Sequence, residues 1–160
     1  WVAVDEEYLR KYKLTRPENF HEGMEGKSFV ETAQYFIDCF PGLPLTREEI
    51  MEEWTRMAHE KYVNEVPLKK GIQEFLESLK AQGKKTGIAT SNSKEMVTDT
   101  LKALGIEHLF DSVRSACEVL SGKPSPDVYL LVAQDLGVEP KNCLIFEDVP
   151  MGLLQKLPDF

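Results

Sequence analysis

Three polar clusters in this chain carry residue types suited to phosphate chemistry. Each directly follows a stretch that reads as a strand. Thr90-Ser91-Asn92 comes at the end of Lys85-Thr86-Gly87-Ile88-Ala89-Thr90. Gly122-Lys123-Pro124 follows the mixed stretch from Phe110 to Val119. Glu147-Asp148 ends the apolar run Cys143-Leu144-Ile145-Phe146. Ligands of open parallel sheets bind beyond the carboxyl ends of the strands. A hydroxyl, an ammonium and two carboxylates therefore converge on one edge, an inventory suited to a phosphate beside a divalent cation. Thr90 and nearby backbone N–H groups donate to phosphate oxygens, and Lys123 neutralises charge. The two carboxylates hold Mg2+, a hard ion that prefers oxygen. Adjacent carboxylates on a buried strand tip repel each other and are costly to desolvate, so a cation there explains the pair. Each cluster alone is also an ordinary helix cap, surface turn or complement to a helix dipole. Their joint occurrence, in order and on one edge, favours the chemical reading.

The elements that must position these clusters change character along the chain. Residues 1–66 read as a small helical bundle. Val2, Leu9 and Tyr12 mark a first helix, with Asp5, Glu6 and Glu7 on its solvated face. Phe29, Ala33, Phe36, Ile37 and Phe40 mark a second, stopped by Pro41-Gly42-Leu43-Pro44. Thr46 with Glu49 three residues on is a capping box, opening a helix whose apolar face is Ile50, Trp54, Met57 and Ala58. Residues 67–160 alternate helix and strand. Ile72, Phe75, Leu76 and Leu79 precede a helix stop at Gly83, Met96, Val97, Leu101 and Leu104 a stop at Gly105, and Val128, Leu131, Val132 and Leu136 a stop at Gly137. Ser125-Pro126 suits the start of the last of these, with Ser as N-cap and Pro at the first helical position. Strands fall over Lys85–Thr90, within Phe110–Val119 and over Cys143–Phe146. Helix–strand–helix–strand–helix–strand predicts an α/β fold with a parallel sheet.

Bulk properties remove several function classes. The chain has 160 residues, enough for one compact domain plus a subdomain. Acids outnumber bases by 27 to 19, for a net charge of −8, and no Lys/Arg block appears, which argues against nucleic-acid binding. No apolar run approaches the roughly 20 residues of a membrane span. Cys39, Cys117 and Cys143 have no CxxC spacing and read as small buried hydrophobes in a reducing, cytoplasmic setting. Gly26-Lys27-Ser28 has the ending of a P-loop, but the position that motif reserves for its first Gly is His21, and no strand precedes it. A phospho-receiver domain uses similar residues with its acidic pair first and its lysine last, the reverse of the order here.

On these residues the chain resembles the haloacid-dehalogenase-like hydrolases, in the branch with a helical cap that includes beta-phosphoglucomutase-like and pseudouridine-phosphate phosphatase-like proteins. IATSNS, GKPSPDVYLLVAQDLGV and CLIFEDVPMG stand in the order and spacing of that family's second, third and fourth motifs. The resemblance implies a Rossmann-like core, partial in this chain, over 67–160 and a helical cap over 1–66. It implies a Mg2+-dependent phosphatase acting on a small phosphorylated metabolite, monomeric when intact. Thr90, helped by Ser91 and Asn92, would bind the phosphoryl group. Lys123 would bridge it to the nucleophile, Asp148 would ligate Mg2+ with Glu147 beside it, and Gly26 and Lys27 would help to choose substrates. A phosphomutase shares every one of these motifs, and an inactive phosphometabolite- or partner-binding homologue shares most of them.

The family's first motif, Asp-x-Asp-Gly, supplies the nucleophile and the general acid–base, and it is absent from residues 1–160. Val4-Asp5-Glu6-Glu7 lacks its second Asp and its Gly. The tail Leu153–Phe160 also departs from the family pattern. The expectation is a family member without its first and last core strands, inactive by itself and poorly stable by itself because its sheet edges are exposed.

Overall fold

The computed structural model describes residues 1–24, 27, 29–121, 123 and 125–147. It divides into two compact units, Trp1–Tyr62 and a second running from Val63. The architecture is α/β, with helices throughout the first unit and a parallel β-pair flanked by helices in the second.

The first unit holds α1 (Val2–Lys11), α2 (Phe29–Cys39) and α3 (Arg47–Asn64), whose last residues lead into the second unit. Its core is aromatic. Tyr8, Phe20, Phe36 and Trp54 are all buried. Phe36 meets Trp54 edge-on, with ring centroids 5.3 Å apart, and Tyr8 at 5.4 Å. Such T-shaped pairs set the ring edge of one against the face of the other and add about 0.5–1.5 kcal/mol beyond area burial. The capping box is present: the Thr46 N–H donates to Glu49 Oε2 at 2.8 Å, and the Glu49 N–H to Thr46 Oγ1 at 3.2 Å. The buried face of α3 is Ile50, Trp54, Met57 and Ala58, as its spacing predicts. The reading of α1 was out of phase. Leu9 is buried as its spacing predicts, but Val2 is exposed and Val4 and Tyr8 are buried in its place, because the i, i+4 pair Val4–Tyr8 turns the aromatic ring inward. Asp5 consequently lies half-buried beside that stripe, and desolvation pushes its carboxyl up, so it is not part of a fully solvated face. Tyr12 lies at the rim and donates to Glu53 Oε2 at 2.7 Å.

The second unit runs α4 (Ile72–Ala81), β1 (Gly87–Thr90), α5 (Lys94–Ala103), β2 (Ser112–Ser115) and α6 (Asp127–Leu136). β1 and β2 pair in parallel, Gly87 with Ser112 through Thr90 with Ser115. Ile88 and Val113 face a cluster of Leu76, Leu101, Ile106 and Leu109 on one side of this pair. Side chains alternate across a strand, so Gly87 faces the other side, where α6 lies. The expected helix stops hold. At Gly105 and Gly137 φ is +70° and +62°, left-handed backbone that glycine adopts without a Cβ penalty. The last helix starts one residue later than predicted. Pro126 is its N-cap position, and the Ser125 hydroxyl donates to Asp127 Oδ1 at 2.8 Å instead of capping the backbone.

The third expected strand is not one. Cys143–Glu147 belongs to no ladder among the described residues. It keeps a strand-like alternation, with Leu144 80% and Phe146 75% exposed between half-buried neighbours. A strand exists only through hydrogen bonds to a neighbour, and the described ladder contains β1 and β2 alone. Among the described residues no helix is long and apolar enough to cross a membrane.

Two contacts fix α6 on the sheet. A Cβ added at Gly87 would stand 2.5 Å from Val132 Cγ1, so only glycine allows this approach. Asp135 is held in a fork by Arg114, Nε to Oδ2 at 2.6 Å and Nη2 to Oδ1 at 2.9 Å, and accepts from Ser112 Oγ at 2.7 Å. The guanidinium and then the hydroxyl pull the Asp135 carboxyl down to about 2.

Gly87→Ala should lower stability by about 1–3 kcal/mol through overpacking, and adding Val132→Ala should restore part of that loss. Urea unfolding of the single and double variants checks the pair; a single variant as stable as wild type would show that Val132 yields freely. The Arg114–Asp135 clip has a pH signature. A carboxyl with a depressed pKa stabilises the fold above its ordinary range, near 4, and loses that contribution as pH falls toward 2. The stability gap between wild type and Asp135→Asn should therefore be full at pH 5–7 and close as the pH approaches 2, as followed by circular dichroism in acid titrations.

Candidate active site

Thr90 is the last residue of β1, and the turn after it is tied down at both ends. The Asn92 N–H donates to Thr90 Oγ1 at 3.0 Å, closing a tight turn around Ser91. Ser93 then caps α5, accepting from the Met96 N–H. From the neighbouring strand the buried Ser115 hydroxyl donates to the Asn92 carbonyl at 2.7 Å. Ser115 is itself held by Glu118, whose Oε2 accepts the Ser115 N–H at 2.8 Å. The turn is thus set by β2 as well as β1. Thr90 spends its oxygen lone pair inside the turn, which leaves its single O–H to donate outward. Ser91 is exposed at the apex.

Ser115 and Glu118 played no part in the expectations from sequence. Their signal was there: Ser115-Ala116-Cys117-Glu118 has capping-box spacing, and the structure forms that box.

The second half of the site comes from the approach to α6 and from the end of the extended segment. Lys123 Nζ donates to Glu147 Oε2 at 2.8 Å, with the lysine side chain 22% and the glutamate 7% exposed. Two residues 24 positions apart are joined by this hydrogen bond. Burial opposes the charge on Lys123, but the hydrogen bonds to Glu147 and Tyr129 outweigh it, and the ammonium is held above its ordinary range. The pair is buried enough that losing one partner would leave a costly lone charge. The third member, Tyr129, was absent from the expectations; its hydroxyl donates to the same Glu147 Oε2 at 2.6 Å.

The direction of α6 relates the two halves. Its C-terminal turn lies over the start of β1, since Val132 and Leu136 surround Gly87 and Lys85 Nζ donates to the Leu136 carbonyl. The helix N-terminus, with Lys123 and Tyr129, therefore lies toward the end of β1 where Thr90 stands. Among the described residues no hydrogen bond joins Thr90 to the Lys123–Glu147 pair. Lys27 belongs to the first unit, where its Nζ stands 5.5 Å from the Tyr35 ring centroid. Gly26 and Asp148 lie outside the described residues.

Among the described residues no group of three or more His, Cys, Asp or Glu side chains could hold a metal. Mg2+ needs fewer: it keeps several waters and takes one or two carboxylates. Glu147 is one hard oxygen donor already committed to a lysine, and Asp148 follows it in sequence. This donor set suits Mg2+ and is unsuited to a soft or sulfur-ligated ion.

Comparison with known proteins identifies the family. Residues 3–155 match the profile of the haloacid dehalogenase-like hydrolases. A phosphorylated carbohydrates phosphatase of Thermotoga maritima is 33% identical over 140 residues, covering 80% of this chain and 65% of that protein. A Drosophila melanogaster protein, a probable pseudouridine-5'-phosphatase, is 30% identical over 161 residues, covering 96% of this chain and 68% of its own length. Beta-phosphoglucomutase from Clostridium difficile superposes with a TM-score of 0.62 at 25% identity, over 94% of this chain and 70% of that one. A candidate beta-phosphoglucomutase from Thermotoga maritima superposes with a TM-score of 0.80 at 25% identity, over 94% and 71%. The chain thus spans about two thirds of the length of these relatives. With the profile matched over nearly its whole length, the chain belongs to the haloacid dehalogenase-like hydrolase family.

Proposed function

We propose that this chain is the substrate-binding part of a Mg2+-dependent phosphatase of small phosphorylated metabolites, sugar phosphates first among them. The observation that carries this reading is the buried Lys123–Glu147 pair. The Thr90 O–H and the Ser91 N–H donate to oxygens of the phosphoryl group, with Asn92 framing the turn. Lys123 has three N–H donors, and Glu147 takes one, so the ammonium serves the phosphate while it is held in place. Asp148, with Glu147 beside it, would hold Mg2+, which when bound neutralises charge on the phosphoryl oxygens. The attacking carboxylate comes from outside these 160 residues and forms an aspartyl-phosphate, so the 160-residue chain alone turns nothing over. Gly26 and Lys27 contribute to substrate choice. The substrate class is supported by the Thermotoga maritima relative that acts on phosphorylated carbohydrates.

The beta-phosphoglucomutase neighbours support a second reading, transfer of the phosphoryl group back to another hydroxyl of the same sugar. The two readings differ in product, inorganic phosphate against an isomeric sugar phosphate.

A full-length protein assayed against a panel of sugar phosphates should release inorganic phosphate only with Mg2+ present, and chelation should abolish the release. Lys123→Ala and Asp148→Asn should each lower kcat by about 10²-fold or more, the scale set by removing one preorganised electrostatic contact to the reacting group. Turnover without Mg2+, or wild-type rates in either variant, would overturn the assignment; an isomeric product without phosphate release would favour the mutase reading.

A further inference from the structure

Tyr129 touches both charged members of the pair. Its hydroxyl donates to Glu147 Oε2 at 2.6 Å, and Lys123 Nζ lies 5.2 Å from the centre of its ring. Lys123 donates to that same Oε2 at 2.8 Å. Ammonium, carboxylate and phenol therefore form a closed triangle in which a single oxygen accepts twice. The sequence places the tyrosine there. Tyr129 stands three positions before Val132, so both lie on the helix face that meets the sheet. It is one turn closer to the helix start, which carries its side chain past Gly87 toward the end of β1.

We propose that Tyr129 is a positioning residue of this site: acting through Glu147, its phenol sets where the Lys123 ammonium stands and thereby the affinity for a phosphate group. The proposal rests on the reading that Lys123 binds phosphate. A lysine has a flexible four-carbon stem, and a glutamate rotates about its own bonds. Two bonds converging on Oε2 remove that freedom before any ligand arrives. The phenol also draws on the electron density that would otherwise hold the ammonium to the carboxylate. It does so without adding a charge, so the lysine keeps more attraction for an incoming phosphate. The ring face beside Nζ adds a favourable contact that does not compete for its hydrogens.

The test uses the full chain, with inorganic phosphate as the probe and Mg2+ present, by calorimetric titration well below the melting temperature. Tyr129→Phe keeps the ring and removes only the hydroxyl. It should weaken phosphate binding about tenfold, the loss of one hydrogen bond to a charged group. In a Glu147→Ala background the same substitution should cost nothing further, because the tyrosine acts through Glu147. A purely structural role would give additive losses in both backgrounds. Unchanged binding in Tyr129→Phe, with binding lost in Lys123→Ala, would overturn this proposal and leave the phosphate site standing. Unchanged binding in Lys123→Ala, or none in the wild type, would remove the site reading and this inference with it. Should Tyr129→Phe not fold, a 13C label at Tyr129 Cζ in the wild type decides the matter. Its resonance should move as phosphate saturates, and a signal that stays still would overturn the proposal.

Discussion

Helix α6 lies so close to β1 that position 87 has no room for a side chain. The approach is a steric fact at Gly87 and an electrostatic one at Asp135, where Arg114 and Ser112 of β2 hold the helix from the adjacent strand. The helix is thereby fixed to both strands at its C-terminal half. Its N-terminal turn is packed as well, with Val128 and Tyr129 buried. One half of the candidate site hangs from that turn: the lysine before it, the tyrosine inside it, and through them the carboxylate of Glu147. A shift of α6 by one residue along the sheet, about 1.5 Å, would separate donors from acceptors now 2.6 to 2.8 Å apart.

The other half of the site is built on a different principle. The Thr90 turn is neutral and held by hydrogen bonds to backbone groups, with Ser115 reaching across from β2 to take the Asn92 carbonyl. The Lys123–Glu147–Tyr129 cluster is charged and mostly buried, with Glu147 Oε2 accepting from both of the others.

Local patterns carried most of the fold in the sequence. Thr46 with Glu49, the face Ile50–Trp54–Met57–Ala58 and the glycines after α4, α5 and α6 depend on contacts within a few residues, and they appear as read. The phase of α1 did not, because choosing between Val2 and Val4 needs the aromatic partner that Tyr8 finds on another helix, Phe36. The third strand failed for a related reason: Cys143–Phe146 has the composition and alternation of a strand, but a ladder is a property of two segments. In the site, Lys123 and Glu147 meet as a hydrogen-bonded pair, but not as the ends of two paired strands, since Cys143–Phe146 joins no described ladder. Tyr129 was not legible, since in sequence it is one more apolar position on a helical stripe. Ser115–Glu118 was legible as a capping box and was hidden by its place at the end of a strand pattern.

The exposed side chains of the extended segment bear on how the molecule behaves as a colloid. Leu144 and Phe146 stand in water, with Phe75 beside Phe146 at a ring separation of 5.9 Å, while the whole chain carries a charge of −8. Two copies approaching through this tip feel long-range repulsion before short-range attraction. The balance is a matter of screening: at about 0.01 M salt the repulsion extends some 30 Å, and at 1 M only about 3 Å. Raising the ionic strength therefore lets copies of this chain come close enough for the apolar side chains to meet.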